Sequence, residues 1–154
     1  MEKITVLITG SGGPLGVNAT RSLLASSLPL RLIGTECNPY HKPLSLAHET
    51  RLIPPARDLD GYIEALGTII EAEGVDWLFP THPTEVLTVA ENRHRLPEVR
   101  TFLPPPEVIR VGDSKWDSYA VWSAQGVPVP RSILVESPEQ LARDWATLGT
   151  ETCW

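Results

Sequence analysis

The chain has 154 residues, which allows one substantial hydrophobic core and leaves no room for a second domain of ordinary size. Its formal charge of −6 offers no basic face for phosphate groups, which argues against a nucleic-acid partner. No apolar stretch approaches the roughly 20 residues that span a bilayer, and the N-terminus lacks a cationic signal-peptide start. Cys37 and Cys153 lack the paired spacing of a zinc site, so we expect free thiols. These features predict a cytoplasmic protein that binds neither nucleic acid nor membrane.

The first strand and helix are predicted from residues 3–25. Residues 4–9 form a short uncharged run rich in β-branched side chains, as in a strand buried on both faces of a parallel sheet. A glycine cluster follows, made up of Gly10, Gly12, Gly13 and Gly16. Apolar residues then recur at helical spacing, at Leu15, Ala19, Leu23 and Leu24. We expect these four side chains to pack one helix face on the sheet.

Strands and helices alternate through the next eighty residues. The predicted elements are strands at 30–34, 50–53, 75–79 and 100–103, and helices at 58–74 and 83–95, the first capped by Asp58 or Asp60 and ended by Gly74. The βαβ unit that opens this series favours a right-handed parallel crossover. The alternation predicts an α/β fold with a doubly wound, mainly parallel, Rossmann-like sheet.

The composition changes after Gly112. Asp113 is predicted to open a helix that ends near Gly126, residues 132–135 are strand-like, and a last helix runs to Gly149. Ser137 is expected to cap that helix, with Gln140 completing a capping box. These elements have no core of their own. We therefore predict a Rossmann-like domain at 1–112 and the beginning of an incomplete second domain at 113–154.

The glycine cluster is the first candidate site. Thr9-Gly10-x-x-Gly13-x-x-Gly16 has the spacing of short-chain dehydrogenases and epimerases, and Glu36 follows twenty residues later, where an acidic group would meet a ribose hydroxyl. The pattern therefore fits an NAD(P) site. Glycines are equally required wherever a strand turns sharply into a helix packed closely on a sheet, so a purely structural turn is the alternative.

One absence weighs against the dehydrogenase interpretation. That family uses a tyrosine whose phenol is made acidic by a lysine four positions later. The three tyrosines here are followed at that spacing by other residues, since Tyr40, Tyr62 and Tyr119 precede Leu44, Leu66 and Ser123. No such pair is present.

The second candidate is the loop after the strand at 75–79. Ligands of open α/β sheets lie beyond the carboxyl ends of the strands, which would place Thr81, His82 and Glu85 beside the glycine cluster in a polar substrate pocket. The alternative is a helix start that is capped by Thr81 or Thr84, with Glu85 favoured by the helix dipole.

Other charged groups are assigned structural roles. His41, His48 and His94 have no ligand spacing and are predicted to be solvated surface residues. Arg93, Arg95 and Arg100 bracket a helix end and are predicted to serve its dipole.

The third candidate is Lys115, which lies in the first turn of a predicted helix. A positive charge interacts unfavourably with the helix dipole at this end, so a bound anionic ligand would explain the lysine. The alternative is a charged residue on a solvated helix start. Asp113-x-Lys115 is followed by Gly126-Val-Pro-Val-Pro130. This arrangement resembles the entry to the ATP-grasp fold. Residues 9–23, TGSGGPLGVNATRSL, and 78–87, LFPTHPTEVL, are similar to the Rossmann-like domain that precedes it in carbamoyl-phosphate-synthase-like proteins.

The resemblance implies a carboxylate–amine ligase that activates a small-molecule carboxylate as an acyl phosphate, using ATP and Mg²⁺. It implies that the N-terminal domain forms one wall of the substrate cleft and that Lys115 contacts nucleotide phosphates. The other groups that such ligases need, including the magnesium ligands, are not found in these 154 residues. We therefore assign no catalytic or metal-binding residue, expect no tight ATP binding by this chain, and expect the rest of the ATP-grasp domain to be supplied in cis or in trans.

A non-catalytic docking domain for a separately encoded lobe is the remaining hypothesis. The unfinished C-terminal part motivates it, because exposed Trp116, Trp122 and Trp145 would form a large apolar patch. The oligomeric state stays open, with a homodimer among the options.

Overall fold

The computed structural model describes residues 3–148, with side chains described as far as residue 145. The chain divides into two compact units, Met1–Ile109 and Arg110–Trp154, which are considered separately. Cys153 and the predicted helix end at Gly149 lie outside the described residues.

Four parallel strands form the sheet of the first unit. They are β1 (Ile4–Ile8), β2 (Leu30–Glu36), β3 (Glu49–Leu52) and β4 (Trp77–Phe79). The spatial order is β3-β2-β1-β4. The chain adds β2 and β3 on one side of β1 and then returns to add β4 on the other side, so the strand order reverses at β1. The predicted strand at 100–103 contributes a single bridge, from Arg100 to Trp77.

The described helices include three in the first unit, one across the unit boundary and two in the second unit. They are α1 (Pro14–Leu24), α2 (Leu59–Glu73), α3 (Pro83–Glu91), α4 (Pro106–Asp113), α5 (Lys115–Ala124) and α6 (Pro138–Leu148). α3 ends earlier than predicted and is followed by a 3-10 turn at Arg93–Arg95. α4 was not predicted, because three consecutive prolines precede its second residue and were interpreted as a strand stop. Asp113 therefore ends one helix, and the next begins at Lys115.

The central strands β1 and β2 are buried on both faces, whereas the edge strand β3 is partly exposed. Leu7 and Ile33 pack with side chains of α2, including Leu66, in one apolar cluster. Val6 and Ile8 belong to a second cluster, which includes Leu23 of α1 in its periphery. Alternate residues of β1 thus face opposite layers of helices. The prediction of a doubly wound α/β sheet is confirmed.

The packing face of α1 differs from the predicted one. Leu15 is 60% exposed and Leu24 46% exposed, whereas Gly16 and Thr20 are buried. A Cβ atom at position 16 would lie 2.2 Å from the carbonyl oxygen of Gly10, so the helix approaches the turn too closely for a side chain there. Gly16 and Thr20 therefore take the inner face, and the two leucines turn outward.

The ends of α2 agree with the sequence. The Asp58 carboxylate accepts a hydrogen bond from the amide of Gly61 at 3.3 Å. Gly74 ends the helix in the left-handed conformation, with φ of 57°. This conformation costs glycine little because glycine has no side chain.

The second unit is helical in its described part. Residues 132–135 are irregular rather than a strand, since no described segment of this unit pairs with them. Ser137 caps α6 by accepting from the amide of Gln140 at 3.1 Å, as predicted. The Gln140 side chain reaches the amide of Glu136 at 3.0 Å, one residue earlier than a standard capping box requires. Among the described helices of both units, none is long and apolar enough to cross a membrane.

Candidate functional site

The candidate site is a crevice at the carboxyl ends of the four strands. It has a volume of about 710 Å³ and is lined by residues from four loops, one after each strand. β1 and β4 lie side by side, and the helices that follow them, α1 and α3, both begin at this edge. A reversal of strand order of this kind is where open α/β sheets bind ligands.

The glycines of the loop after β1 meet close backbone contacts. Gly10 has φ of 56°, in the left-handed region. A Cβ atom at Gly12 would lie 2.0 Å from the carbonyl oxygen of His41, in the loop after β2. Together with the contact at Gly16, these positions account for three of the four glycines, Gly10, Gly12 and Gly16, as parts of a tight turn.

Three amides of this loop, those of Ser11, Gly12 and Gly13, have acceptors inside the protein. The amide of Ser11 donates to the carbonyl of Thr35 at 3.1 Å, and that of Gly13 donates to the carbonyl of Gly10 at 3.0 Å. The amide of Gly12 donates to Glu36 Oε1 at 2.6 Å. The carboxylate of Glu36, only 4% exposed, therefore stabilises the turn through Oε1, and the same residue also lines the crevice.

The loop after β4 supplies a second buried carboxyl group. Glu85, in the first turn of α3, is 9% exposed and accepts from the hydroxyl of Thr9 at 2.8 Å. Burial raises the pKa of Glu85, an effect that the hydrogen bond from Thr9 partly offsets. The hydroxyl of Thr81 donates to the carbonyl of Thr9 at 2.8 Å, which joins the two loops directly.

Tyr62 of α2 lies close to this carboxyl group. Its side chain is fully buried, and the pKa of its phenol is raised by burial first and by the charge of Glu85 second. The phenol is therefore a neutral hydroxyl group at neutral pH. It cannot provide the acidic tyrosine that dehydrogenase chemistry requires.

His82 caps α3, where the sequence predicted Thr81 or Thr84. Its Nδ1 accepts from the amide of Thr84 at 3.3 Å, and Pro83 occupies the first helical position. Thr81 lies one residue before the capping position and donates its hydroxyl proton to the carbonyl of Thr9, and Thr84 already lies inside the first turn. The helix-start interpretation of this loop is correct, with a different capping residue.

Two basic residues that line the crevice, His41 and Arg57, were not predicted as site residues. His41, predicted to be plain surface, lies at the rim with Nδ1 4.0 Å from Glu36 Oε2. Arg57 lines the crevice from the loop after β3 and is exposed to solvent. The available signal was their position, because both follow the carboxyl end of a predicted strand.

Other groups predicted as surface or dipole residues have specific partners. His48 Nδ1 accepts from the amide of Leu32 at 3.0 Å, at the start of the β2–β3 pairing. Arg95 forms an ion pair with Asp60 at 2.7 Å and donates to Asn92 Oδ1, at the end of α3, at 3.4 Å. Arg93 donates to the hydroxyl of Thr101, and Arg100 lies over the ring of Trp77. His94 is exposed, as expected.

Most of the predicted site residues meet at the crevice. Its lining includes Gly10, Gly13, Glu36, Thr81, His82 and Glu85. Lys115 belongs to the other unit, where it is the exposed first residue of α5, after the capping Ser114. In the described part of the chain, no three His, Cys, Asp or Glu side chains are grouped as a metal site would require.

Comparisons with known proteins concern the fold. No family model and no curated protein matches the sequence. Among solved structures, an L-amino acid ligase from Bacillus licheniformis is similar over 97% of this chain, with a TM-score of 0.52 and 10% sequence identity. The chain spans 42% of the length of that ligase. CurK enoyl reductase, at 15% identity over 97% of this chain and 52% of its own, has a TM-score of 0.38, which carries no conclusion. The ligase comparison shows a shared fold, and a fold by itself does not define an activity.

Proposed function

We propose that this chain is the N-terminal, substrate-cleft module of an ATP-dependent carboxylate–amine ligase of the ATP-grasp type. The observation that carries the proposal is the fold similarity to an L-amino acid ligase, which extends across both units of this chain. The order of motifs supports it independently. A glycine turn, a PTHPTE loop, an Asp-x-Lys segment and a Gly-Val-Pro-Val-Pro segment follow one another as in carbamoyl-phosphate-synthase-like proteins.

The crevice of the first unit then forms one wall of the carboxylate-binding cleft. Lys115 contacts nucleotide phosphates as a point charge, a role that its exposed position at the start of α5 leaves open. ATP and Mg²⁺ supply the activation of the carboxylate, through groups in the remainder of the ATP-grasp domain, in cis or in trans. A partner carrying that remainder is thus part of the proposal.

ADP release tests this function. The protein produced from the complete reading frame that contains these residues is incubated with Mg-ATP and a panel of carboxylates and amines, and ADP is measured with a coupled assay. We expect release that requires a carboxylate and is lowered by Lys115→Ala. Lys3→Ala, which removes an exposed lysine at the start of the first unit, is the matched control and leaves the rate unchanged. ADP release that no carboxylate stimulates would contradict the proposal.

Calorimetry of the isolated chain tests the proposal that tight binding of Mg-ATP requires the remainder of the ATP-grasp domain. Because the magnesium ligands and the nucleotide lid are assigned to the remainder of the domain, we expect no tight binding of Mg-ATP. Micromolar or tighter binding that survives Lys115→Ala would contradict the role given to that lysine.

A further inference from the structure

The first turn of α3 forms one wall of the crevice. His82, Thr84 and Glu85 line the crevice from this turn, and Thr81 lines it from the preceding loop. The hydroxyl of Thr81 donates to the carbonyl of Thr9, which joins this loop to the end of β1. A structural change at the start of α3 would therefore alter the crevice beside β1 and β4.

The start of α3 is held by a capping box that is made of titratable side chains. In the common form of this motif a serine or threonine caps the helix, and a glutamate three residues later accepts from the amide of the capping residue. Here Nδ1 of His82 accepts from the amide of Thr84 at 3.3 Å. Glu85, three residues after His82, accepts from the His82 amide. Pro83, at the first helical position, has no amide proton that needs an acceptor.

His82 can cap the helix only while its ring is neutral. A protonated imidazole carries a proton on both nitrogens and has no acceptor left, so its Nδ1 proton would face the amide proton of Thr84. A positive charge is also unfavourable to the dipole at a helix N-terminus. Histidine side chains ordinarily become charged between pH 8 and 5, and His82 is exposed to the solvent that supplies the proton. Acid should therefore weaken the start of α3.

The charged groups around His82 act in both directions. The other titratable or charged residues that line the crevice are Glu36, Cys37 and His41 after β2, Arg57 after β3 and Glu85 in α3. Arg57 disfavours a second positive charge in the crevice, whereas the carboxylate of Glu85 favours one. Burial raises the pKa of Glu85, so this carboxylate loses its charge earlier on acidification than an exposed one does. The attraction that would stabilise a charged His82 therefore weakens in acid.

We propose that the start of α3 is an acid-sensitive element, in which protonation of His82 releases the amide of Thr84, frays the first turn and changes the crevice wall that this turn forms. The proposal concerns the conformation of the crevice and does not depend on the ligase function. It rests on the geometry of the cap, in which a titratable ring occupies the position of an ordinary serine or threonine.

Amide exchange measured by NMR on the intact chain tests the proposal. The readout is the protection factor of the Thr84 amide, which is its intrinsic exchange rate divided by the measured rate, at pH 7.5 and pH 5. We expect a fall of about fivefold in acid, which corresponds to the loss of one hydrogen bond. The amide shift of Gly10 should change over the same pH range, because Gly10 lies against Glu85 and Thr81.

Three variants distinguish this mechanism from a general effect of pH. His82→Asn keeps an acceptor that does not titrate, so Thr84 should stay protected at both pH values and the shift of Gly10 should no longer change. His82→Ala removes the acceptor, so Thr84 should be unprotected at both. His94→Asn replaces an exposed histidine that does not line the crevice and should behave as the wild type does.

Two results would overturn the proposal. One is a wild-type Thr84 amide whose protection is unchanged or higher at pH 5. The other is a loss of protection, or a change at Gly10, that persists unaltered in His82→Asn.

Discussion

Position 12 has no space for a side chain. A Cβ atom on Gly12 would lie 2.0 Å from the carbonyl oxygen of His41 and 3.2 Å from Glu36 Oε1. The first neighbour is backbone and cannot rotate away. The glycine is therefore explained by the contact between two loops, without a bound cofactor.

Gly12→Ala should destabilise the protein by about 2 kcal/mol or more, because it overpacks this contact and displaces the amide from Glu36. Urea unfolding measures the loss. Gly67→Ala is the control, since a Cβ atom there, in the middle of α2, meets its nearest neighbour, Pro97 Cδ, at 3.6 Å. It should be neutral or stabilising by up to about 1 kcal/mol. Equal effects of the two substitutions would contradict the steric explanation.

The ionisation of Glu85 should affect stability above pH 4.5. Burial raises its pKa, so the folded protein holds this proton more tightly than the unfolded chain does. The free energy of unfolding therefore falls as the pH rises from the ordinary value of 4.5 towards the raised value.

Glu85→Gln should abolish this fall while keeping an oxygen that accepts from Thr9. We expect the free energy of unfolding of the variant, relative to wild type, to increase with pH above 4.5. Thr9→Val should have the opposite effect and steepen the fall, because the Thr9 hydroxyl lowers the pKa of Glu85. Urea unfolding across this pH range provides the measurement. A difference between Glu85→Gln and wild type that does not depend on pH would contradict this prediction.

At the scale of elements, α1 shows where pattern reading fails. Leucines at 15, 23 and 24 share helical spacing, but only Leu23 packs on the sheet. The inner stripe is set by Gly16 and Thr20, whose small size lets the helix approach the turn. A search for hydrophobic periodicity does not count glycine as a core residue. The predicted packing face of α1 therefore differs from the observed one, which contains Gly16 and Thr20.

A pair of leucine substitutions checks the observed face. Leu23→Ala should lower the free energy of unfolding by about 1 to 2 kcal/mol, as expected for a partly buried side chain in the second apolar cluster. Leu24→Ala, at a 46% exposed neighbour, should change it by less than about 0.5 kcal/mol. Comparable losses from the two substitutions would support the face that the sequence predicted, because that face includes both leucines.

At the scale of the whole molecule, the alternation of apolar runs and amphipathic segments was sufficient to predict the doubly wound sheet. It worked because β1 is a short uncharged run that is buried on both faces and α2 has one clear apolar stripe. α4 was missed since its sequence begins in a proline run. The strand predicted at 132–135 has β-branched residues, yet β propensity has no effect without a neighbouring strand.

The candidate site was predictable in outline. The rule that ligands bind beyond the carboxyl ends of strands brought Gly10, Thr81, His82 and Glu85 together correctly. The rule did not reveal which polar groups already have hydrogen-bond partners inside the protein. Glu36 has the spacing of a ribose-binding acid, and only the structure shows that it bonds to Gly12.

A titration of NADH tests most directly the central claim about the glycine loop, that it is a structural turn and not a dinucleotide site. NADH fluorescence is followed as the intact chain is added, for the wild type and for Gly13→Asp, which places a negative charge where a pyrophosphate would lie. We expect no saturable change for either protein, because the loop amides and Glu36 are bonded internally. Saturable binding by the wild type that Gly13→Asp abolishes would contradict the claim and restore the NAD(P) interpretation of the glycine loop.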